Sequence, residues 1–491
     1  MLKKIFLLLT ASVIFHACLA ENGYHISIHL NGLADTNVIL GHYLDKSLYP
    51  DDTVRVNSQG KGTFKGDKKL NEGMYIIFPP LGGYFDVIIG ADQEFSISSD
   101  TSDYVRNFSS SGSLENELFY DFQHYMLSKK DDMVQLQEDF KNAKTDKEKD
   151  KLKEKMRAMN DERIEKVKTI RTENPDLFVG QFLSATLEVE VPEAPRDEEG
   201  NLIDSNWSYS YYRTHYFDNF DYSDPRMLRT PFFNEKLFKY VDKIIPQIPD
   251  SINAELDVII RNVEHDSVLF SHTLTALFNH YVESKIMGME SVWVYIADNY
   301  YLERIWWSKE EYLKELQERV NALKPILLGN IAPDVQLRYV PDDHFKAAQN
   351  DTALKRYPHA GEFFNISQIK SDYTVLVFWD PTCGHCKKDI PKFHKIFSDT
   401  LKPQGIKVIA ISTLFGEDGK EQWVDFVNKN ELYGWINCWN PYDYKYKQIY
   451  DIRTNPQFFI LDHKKEIIAK RIGSEQVTDV IATHKKYKNK N

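Results

Sequence analysis

Two short stretches near the C-terminal end, Tyr373-Thr-Val-Leu-Val-Phe-Trp379 and Ile406-Lys-Val-Ile-Ala-Ile-Ser412, are apolar almost throughout. A strand with one wet face alternates apolar and polar residues, so continuous runs of this length belong to strands covered on both sides. Joined through a helical stretch, such strands restrict this part of the chain to a mostly parallel, right-handed α/β unit. The same texture begins after Gly329-Asn330-Ile331-Ala332-Pro333 and includes a third strand with Trp435 and Cys438. It closes with a hairpin, Gln457–Leu461 and Glu466–Arg471, around Asp462-His463-Lys464.

The upstream chain reads differently. Tyr24–Leu30, Val38–Tyr43, Gly73–Phe78 and Phe85–Gly90 alternate with turn residues between them, which predicts a small antiparallel β-domain. Gly112-Ser113 opens a helical region, with Ser113 as cap and Glu115 and Glu117 at the positive end of the helix. The charge-dense residues 129–173 predict a solvated helical hairpin stopped by Asn174-Pro175. Helices resume at Leu237–Ile245, Ala254–Val263 and Leu269–Met287, and Ser308-Lys-Glu-Glu311 predicts a capping box for another that ends near Leu328. The expected fold class is therefore multi-domain: an N-terminal antiparallel β domain, a central all-α region and a C-terminal α/β domain. A length of 491 residues fits about three such parts.

Composition removes several functions. With 61 Lys and Arg against 73 Asp and Glu, the net charge of −12 argues against nucleic acid as a partner. Asp218, Asp221 and Asp224 lack the glycine and terminal glutamate of a calcium loop. His265, His272 and His280 contain no helical i, i+4 pair, so no metal site is expected. Lys3 and Lys4 followed by Ile5–Phe15 resemble a secretory leader over residues 1–20. Cleavage after Ala20 would release a soluble chain, and lipidation at Cys18 would anchor it; in either case the expected location is the periplasm or cell envelope. Nothing later approaches eighteen consecutive apolar residues, so membrane attachment is expected only through an anchor at Cys18.

Four cysteines, Cys18, Cys383, Cys386 and Cys438, are too few for a disulfide scaffold. Cys383-Gly384-His385-Cys386 falls where the first covered strand hands over to a helix. A sulfur there faces unsatisfied N–H groups and the positive end of the helix, which favour thiolate over thiol. Two intervening residues bring the second sulfur within reach of the first, so a mixed disulfide can be resolved within the chain. Half a zinc site and a structural disulfide are the competing readings. Cys438 has no partner to complete the former, and the α/β context favours redox chemistry over both. Cys438 itself reads as a buried, inert thiol.

Trp379-Asp-Pro-Thr-Cys383-Gly-His-Cys386-Lys-Lys-Asp-Ile-Pro391 resembles the thioredoxin superfamily, most closely its TlpA/ResA-like extracytoplasmic thiol–disulfide oxidoreductases. Trp379 matches the active-site tryptophan of that group, Pro391 its helix proline, and Ala332-Pro333 its domain entrance. The resemblance implies a thioredoxin fold over 329–491 and a cis-proline at Asn455-Pro456 facing the dithiol. It further implies Cys383 and Cys386 as catalytic thiols, Trp379, Gly384, His385, Asn455 and Pro456 as residues that tune them and shape the substrate groove, no cofactor beyond the redox-active disulfide, and protein dithiol or disulfide clients. An upstream thiol reductant or oxidant would complete the cycle. Where thioredoxins carry a buried aspartate this chain has Val377, and Asp389 is the better match to a ResA-like acid/base residue. Gly384-His385 is similar to the dipeptide of protein disulfide isomerase, so His385 is expected to tune the potential. Residues 21–112 resemble DUF4369 regions, and the helical residues 113–328 resemble DUF5106 regions from about residue 205. Two rival functions remain open: a peroxiredoxin-like thiol peroxidase, and a non-enzymatic envelope binding protein with a vestigial thioredoxin domain. Pro381-Thr382-Cys383 lacks the spacing that the former requires.

Overall fold

The computed structural model describes residues 23–80, 83–356, 362–439 and 445–488; the leader read over 1–20, and Cys18 with it, lies outside the described residues. The chain divides into two compact units, one running to Ile245 with Asn262–Leu269, the other comprising Pro246–Arg261 and the chain from Phe270.

The first unit opens with eight strands: β1 (Tyr24–Asn31), β2 (Asn37–Leu44), β3 (Ser47–Arg55), β4 (Lys61–Gly66), β5 (Gly73–Phe78), β6 (Phe85–Ile89), β7 (Glu94–Asp100) and β8 (Ser109–Ser111). They form two four-stranded sheets, ordered β4-β1-β7-β8 and β3-β2-β5-β6. All neighbours are antiparallel except β1 and β7, which pair in parallel. Alternation made β1, β2, β5 and β6 legible, because each carries several buried apolar residues. β3 was not expected: it holds Pro50, Asp51 and Asp52, is mostly exposed, and lies at a sheet edge, where a missing N–H is tolerated. β4 buries Phe64 alone, too little for a periodic signal.

Two long helices follow, Leu114–Asn142 and Asp146–Glu173, the second opened by a Thr145–Glu148 capping box and closed at Asn174. At the entry to the first, Ser113 Oγ accepts from the Asn116 amide N–H, as its sequence position predicted. The next two polar residues are also engaged. The Glu115 carboxylate accepts from the N–H groups of Phe178 and Val179 at 2.8 and 2.7 Å, capping the short helix Phe178–Ser184. The fully buried Asn116 side chain accepts from Ile88 N–H and donates to Ile88 C=O, each at 2.8 Å, as another strand would beside β6. In the tyrosine-rich stretch, His215 Nδ1 lies 2.7 Å from Asp218, Asp221 accepts from Ser223, and Asp224 pairs with Arg226.

In the second unit, the helix expected from Ser308 starts at Glu310 instead. Lys309 occupies the cap position with no side-chain hydrogen bond, so Ser308 is one residue too early to close a capping box. The helix ends at Leu323, and a single turn containing Pro325 follows. Next come a small antiparallel pair, β9 (Gln336–Arg338) with β10 (Phe363–Asn365), and a five-stranded sheet. The sheet comprises β11 (Thr374–Trp379), β12 (Lys407–Ser412), β13 (Ile436–Cys438), β14 (Gln457–Leu461) and β15 (Ile467–Lys470), ordered β13-β12-β11-β14-β15. The first three are parallel, and β14 and β15 are antiparallel. Every residue of β11 and β14 is buried, which is why their runs contain almost no polar residue. The connecting segment 329–332 lies along β15: Gly329 N–H donates to Ile467 C=O and Ala332 N–H to Lys465 C=O. Glu290, from the helix Glu290–Ile296, forms an ion pair with the buried Lys470 of β15.

Candidate active site

Parallel pairing puts the C-terminal ends of β11 and β12 at one sheet edge, with Trp379 opposite Ser412. Whatever follows either strand therefore meets there. After Trp379 the chain makes an Asx turn: Asp380 Oδ1 accepts from Thr382 N–H at 2.7 Å and from its hydroxyl at 2.6 Å. The helix Gly384–Ile396 begins immediately, with Cys383 as its cap residue.

The two cysteines sit in different environments, and both are free thiols. Cys383 is half-buried, and its Sγ donates to the Asn455 carbonyl at 3.5 Å. Cys386 is fully buried among core residues, and its Sγ accepts from Asp380 N–H at 3.5 Å. Burial pushes the Cys386 thiol up to about 12, opposed in part by that N–H bond and reinforced by the neighbouring Cys383. The accessible sulfur is thus the first cysteine, and the second is held back as a neutral thiol.

The Asn455–Pro456 peptide bond is cis, as the resemblance implied. The loop ahead of it is clamped from behind: Asp451, nearly buried, pairs with Arg453 at 2.7 Å and with Arg471 at 2.6 Å. Asn455 Nδ2 donates to Thr413 Oγ1 at 2.9 Å. Thr413 in turn donates to the Trp379 carbonyl through its N–H at 2.8 Å and its hydroxyl at 3.2 Å.

The remaining residues singled out from sequence fall into two groups. Trp379 does not line a groove. It is fully buried, its ring 5.3 Å from that of Phe426, because the continuous apolar run that carries it is sealed on both faces. Gly384 and His385 are exposed, and a Cβ built on Gly384 would meet nothing within 4 Å. Among the described residues His385 has no hydrogen-bond or ion-pair partner, so its expected tuning of the thiol is not by direct contact here. Asp389 is half-buried and likewise unpartnered, and forms no ion pair with Lys388 or Lys392. Val377, at the place of the thioredoxin aspartate, is completely buried. Cys438 on β13 is also completely buried, and burial raises its thiol well above the ordinary range.

Asp380 and Thr413 were missed by the sequence reading. For Asp380 a signal existed, since Asp-Pro-Thr is a turn with a side-chain acceptor two residues before its donor. Thr413 had none, because only the pairing of β12 with β11 brings it to the dithiol edge. Among the described residues no group of three His, Cys, Asp or Glu side chains is placed to hold a metal, and no helix is long and apolar enough to cross a membrane.

Comparison with known proteins finds three family models along the chain. Residues 371–467 match a thioredoxin-like family model, residues 24–119 the domain of unknown function DUF4369, and residues 134–324 DUF5106, whose match reaches back well ahead of residue 205. The chain is similar to sporulation thiol-disulfide oxidoreductase A of Bacillus subtilis, 31% identical over 106 residues, which is 21% of this chain. The chain spans 61% of that relative's length. Among solved structures, a thioredoxin-like protein from Bacteroides caccae is 17% identical, with a TM-score of 0.42 over 61% of this chain and all of that one. A domain of a possible thiol-disulfide isomerase from Cytophaga hutchinsonii is 29% identical, with a TM-score of 0.27 over 34% of this chain and 97% of that one. The C-terminal part of the chain is thus thioredoxin-like, and DUF4369 and DUF5106 regions precede it.

Proposed function

We propose that this chain is a thiol–disulfide oxidoreductase that exchanges dithiols and disulfides of proteins in the cell envelope through Cys383 and Cys386. The observation that carries the reading is the asymmetry of the pair: one sulfur is accessible and faces the Asn455 carbonyl, the other is buried behind it and neutral. In the reductive direction, the Cys383 thiolate attacks one sulfur of a client disulfide. The client S–S bond breaks, a Cys383–client S–S bond forms, and the released client sulfur takes a proton. Cys386 then gives up its proton and attacks Cys383 Sγ, so that the Cys383–Cys386 disulfide forms and the client leaves as a dithiol. Two electrons have passed to the client, and an external thiol reductant restores the site; oxidation of a client is the same sequence reversed.

Asp389, three residues beyond Cys386 and unpartnered, is the proposed acceptor of the Cys386 proton. An extended client can pair with the backbone at Asn455, whose carbonyl its N–H would take over from Cys383. Gly384, with open space around it, keeps the mouth clear for that client. Location outside the cytoplasm, with attachment through Cys18 as the alternative to a soluble chain, belongs to the same proposal.

Insulin reduction with a small dithiol as donor tests it: the wild type accelerates precipitation of the insulin chains, and Cys383→Ser does not. Equal rates for the two would remove Cys383 from the mechanism, and consumption of hydrogen peroxide in place of insulin reduction would favour the peroxidase. The potential of the couple sets the direction. A value near about −180 mV supports oxidation or isomerisation, and one near about −270 mV supports reduction.

A further inference from the structure

The contacts around the dithiol close into a ring. Cys383 Sγ donates to the Asn455 carbonyl, the Asn455 amide donates to the Thr413 hydroxyl, and Thr413 donates to the carbonyl of Trp379, from which the chain runs back to Cys383. Thr413 is 2% exposed, and its side chain joins the loop before Pro456 to the end of β11. Its hydroxyl both accepts and donates, which Ser can imitate and Val, nearly the same shape, cannot. Among the described residues the Asn455 amide has no other anchor, for its Oδ1 is buried without a partner. We propose that Thr413 is a positioning residue that, through Asn455, holds the client-pairing carbonyl against Cys383.

Only the protonated sulfur donates to a carbonyl, and a thiolate is repelled by the same oxygen. Holding the carbonyl in place therefore keeps Cys383 Sγ engaged until a client N–H claims the oxygen. Loosening it frees the sulfur but blurs the surface on which a client docks. Small-molecule reactivity and client turnover should move in opposite directions. The proposal rests on the thiol–disulfide exchange reading for its client arm only.

The test compares wild type, Thr413→Val, Thr413→Ser, Asn455→Ala and the Thr413→Val/Asn455→Ala double variant. Alkylation of Cys383 by iodoacetamide at neutral pH is followed by peptide mapping, and kcat and KM are measured for insulin reduction. Thr413→Val is expected to alkylate about threefold faster and to lose about fivefold in kcat/KM, mostly through KM, the size of one modest hydrogen bond. Thr413→Ser should restore both, and the double variant should add nothing to either single change. Unchanged alkylation, both readouts falling together, or additive effects would overturn the proposal, since a merely structural threonine would lower the melting temperature without that opposed pair of changes. If Thr413→Val does not fold, Asn455→Ala breaks the same link from the other side. If the wild type does not reduce insulin, the functional reading fails while the alkylation arm still decides the positioning role.

Discussion

Two strand-to-helix junctions in this molecule begin alike and differ in how far their polar groups are bound. At Gly112–Asn116 and at Trp379–Cys386 a short polar stretch leads into a long helix. At the first, Ser113, Glu115 and Asn116 are buried and each is bound by neighbouring backbone or side chain. At the second, Cys383 is half-buried with a long bond to the Asn455 carbonyl and the Cys386 sulfur beside it, and among the described residues the His385 and Asp389 side chains have no partner. A junction that stabilises a fold saturates its polar groups, because a buried unsatisfied one costs about 1–3 kcal/mol. A junction proposed to do chemistry is expected to leave some of them available to another molecule. Partner count, more than residue type, separates the two.

The sharpest break in that comparison lies at the reactive sulfur. Cys386→Ser should trap a covalent mixed disulfide with a client, seen as a reductant-sensitive band, whereas Cys383→Ser should trap none; equal trapping by both would erase the asymmetry of the pair.

Next in size is the silence of the second sulfur. Burial, the largest cause of the raised Cys386 thiol, persists when Cys383 is replaced, so in native Cys383→Ser Cys386 should resist alkylation and react only in denaturant. The sign of the linked stability effect is fixed. The folded state keeps a proton that the unfolded chain loses above its ordinary value of 9.0, so wild-type stability should fall as pH rises from there towards 12. Urea midpoints of reduced wild type and of Cys386→Ser should diverge over that window, by at most about 1.4 kcal/mol per pH unit.

At the saturated junction the corresponding effect is on stability alone. Asn116→Leu strands the Ile88 N–H and C=O, and should cost about 3 kcal/mol by urea unfolding while Cys383 alkylation stays at its wild-type rate. The smallest effects come from two glycines. A Cβ on Gly90 would press to 3.0 Å on Glu115, so Gly90→Ala should destabilise by about 1–2 kcal/mol. Gly384→Ala, in open space at the start of a helix, should be neutral or gain about 0.5 kcal/mol.

Legibility from sequence tracked burial pattern. β11, β12 and β14 were readable because every or nearly every position is covered, while β3 and β4 were not, with few apolar residues turned inward. The Ser308 box failed by one residue, a shift that local capping signals do not resolve when packing sets the register of the helix. Trp379 enters the expected groove through its match to the active-site tryptophan of the resemblance, although its place in a sealed strand already points inward.

The amino-acid sequence by itself determined the order of the parts and the position of the dithiol, because periodicity and a two-residue spacing are local properties of the chain. That Cys383 Sγ reaches the Asn455 carbonyl, that Asn116 stands in for a strand beside β6, and that Thr413 reaches Asn455 were decided only by tertiary structure. Each depends on segments from 28 to 72 residues apart being brought within hydrogen-bond range, and no local pattern encodes that distance.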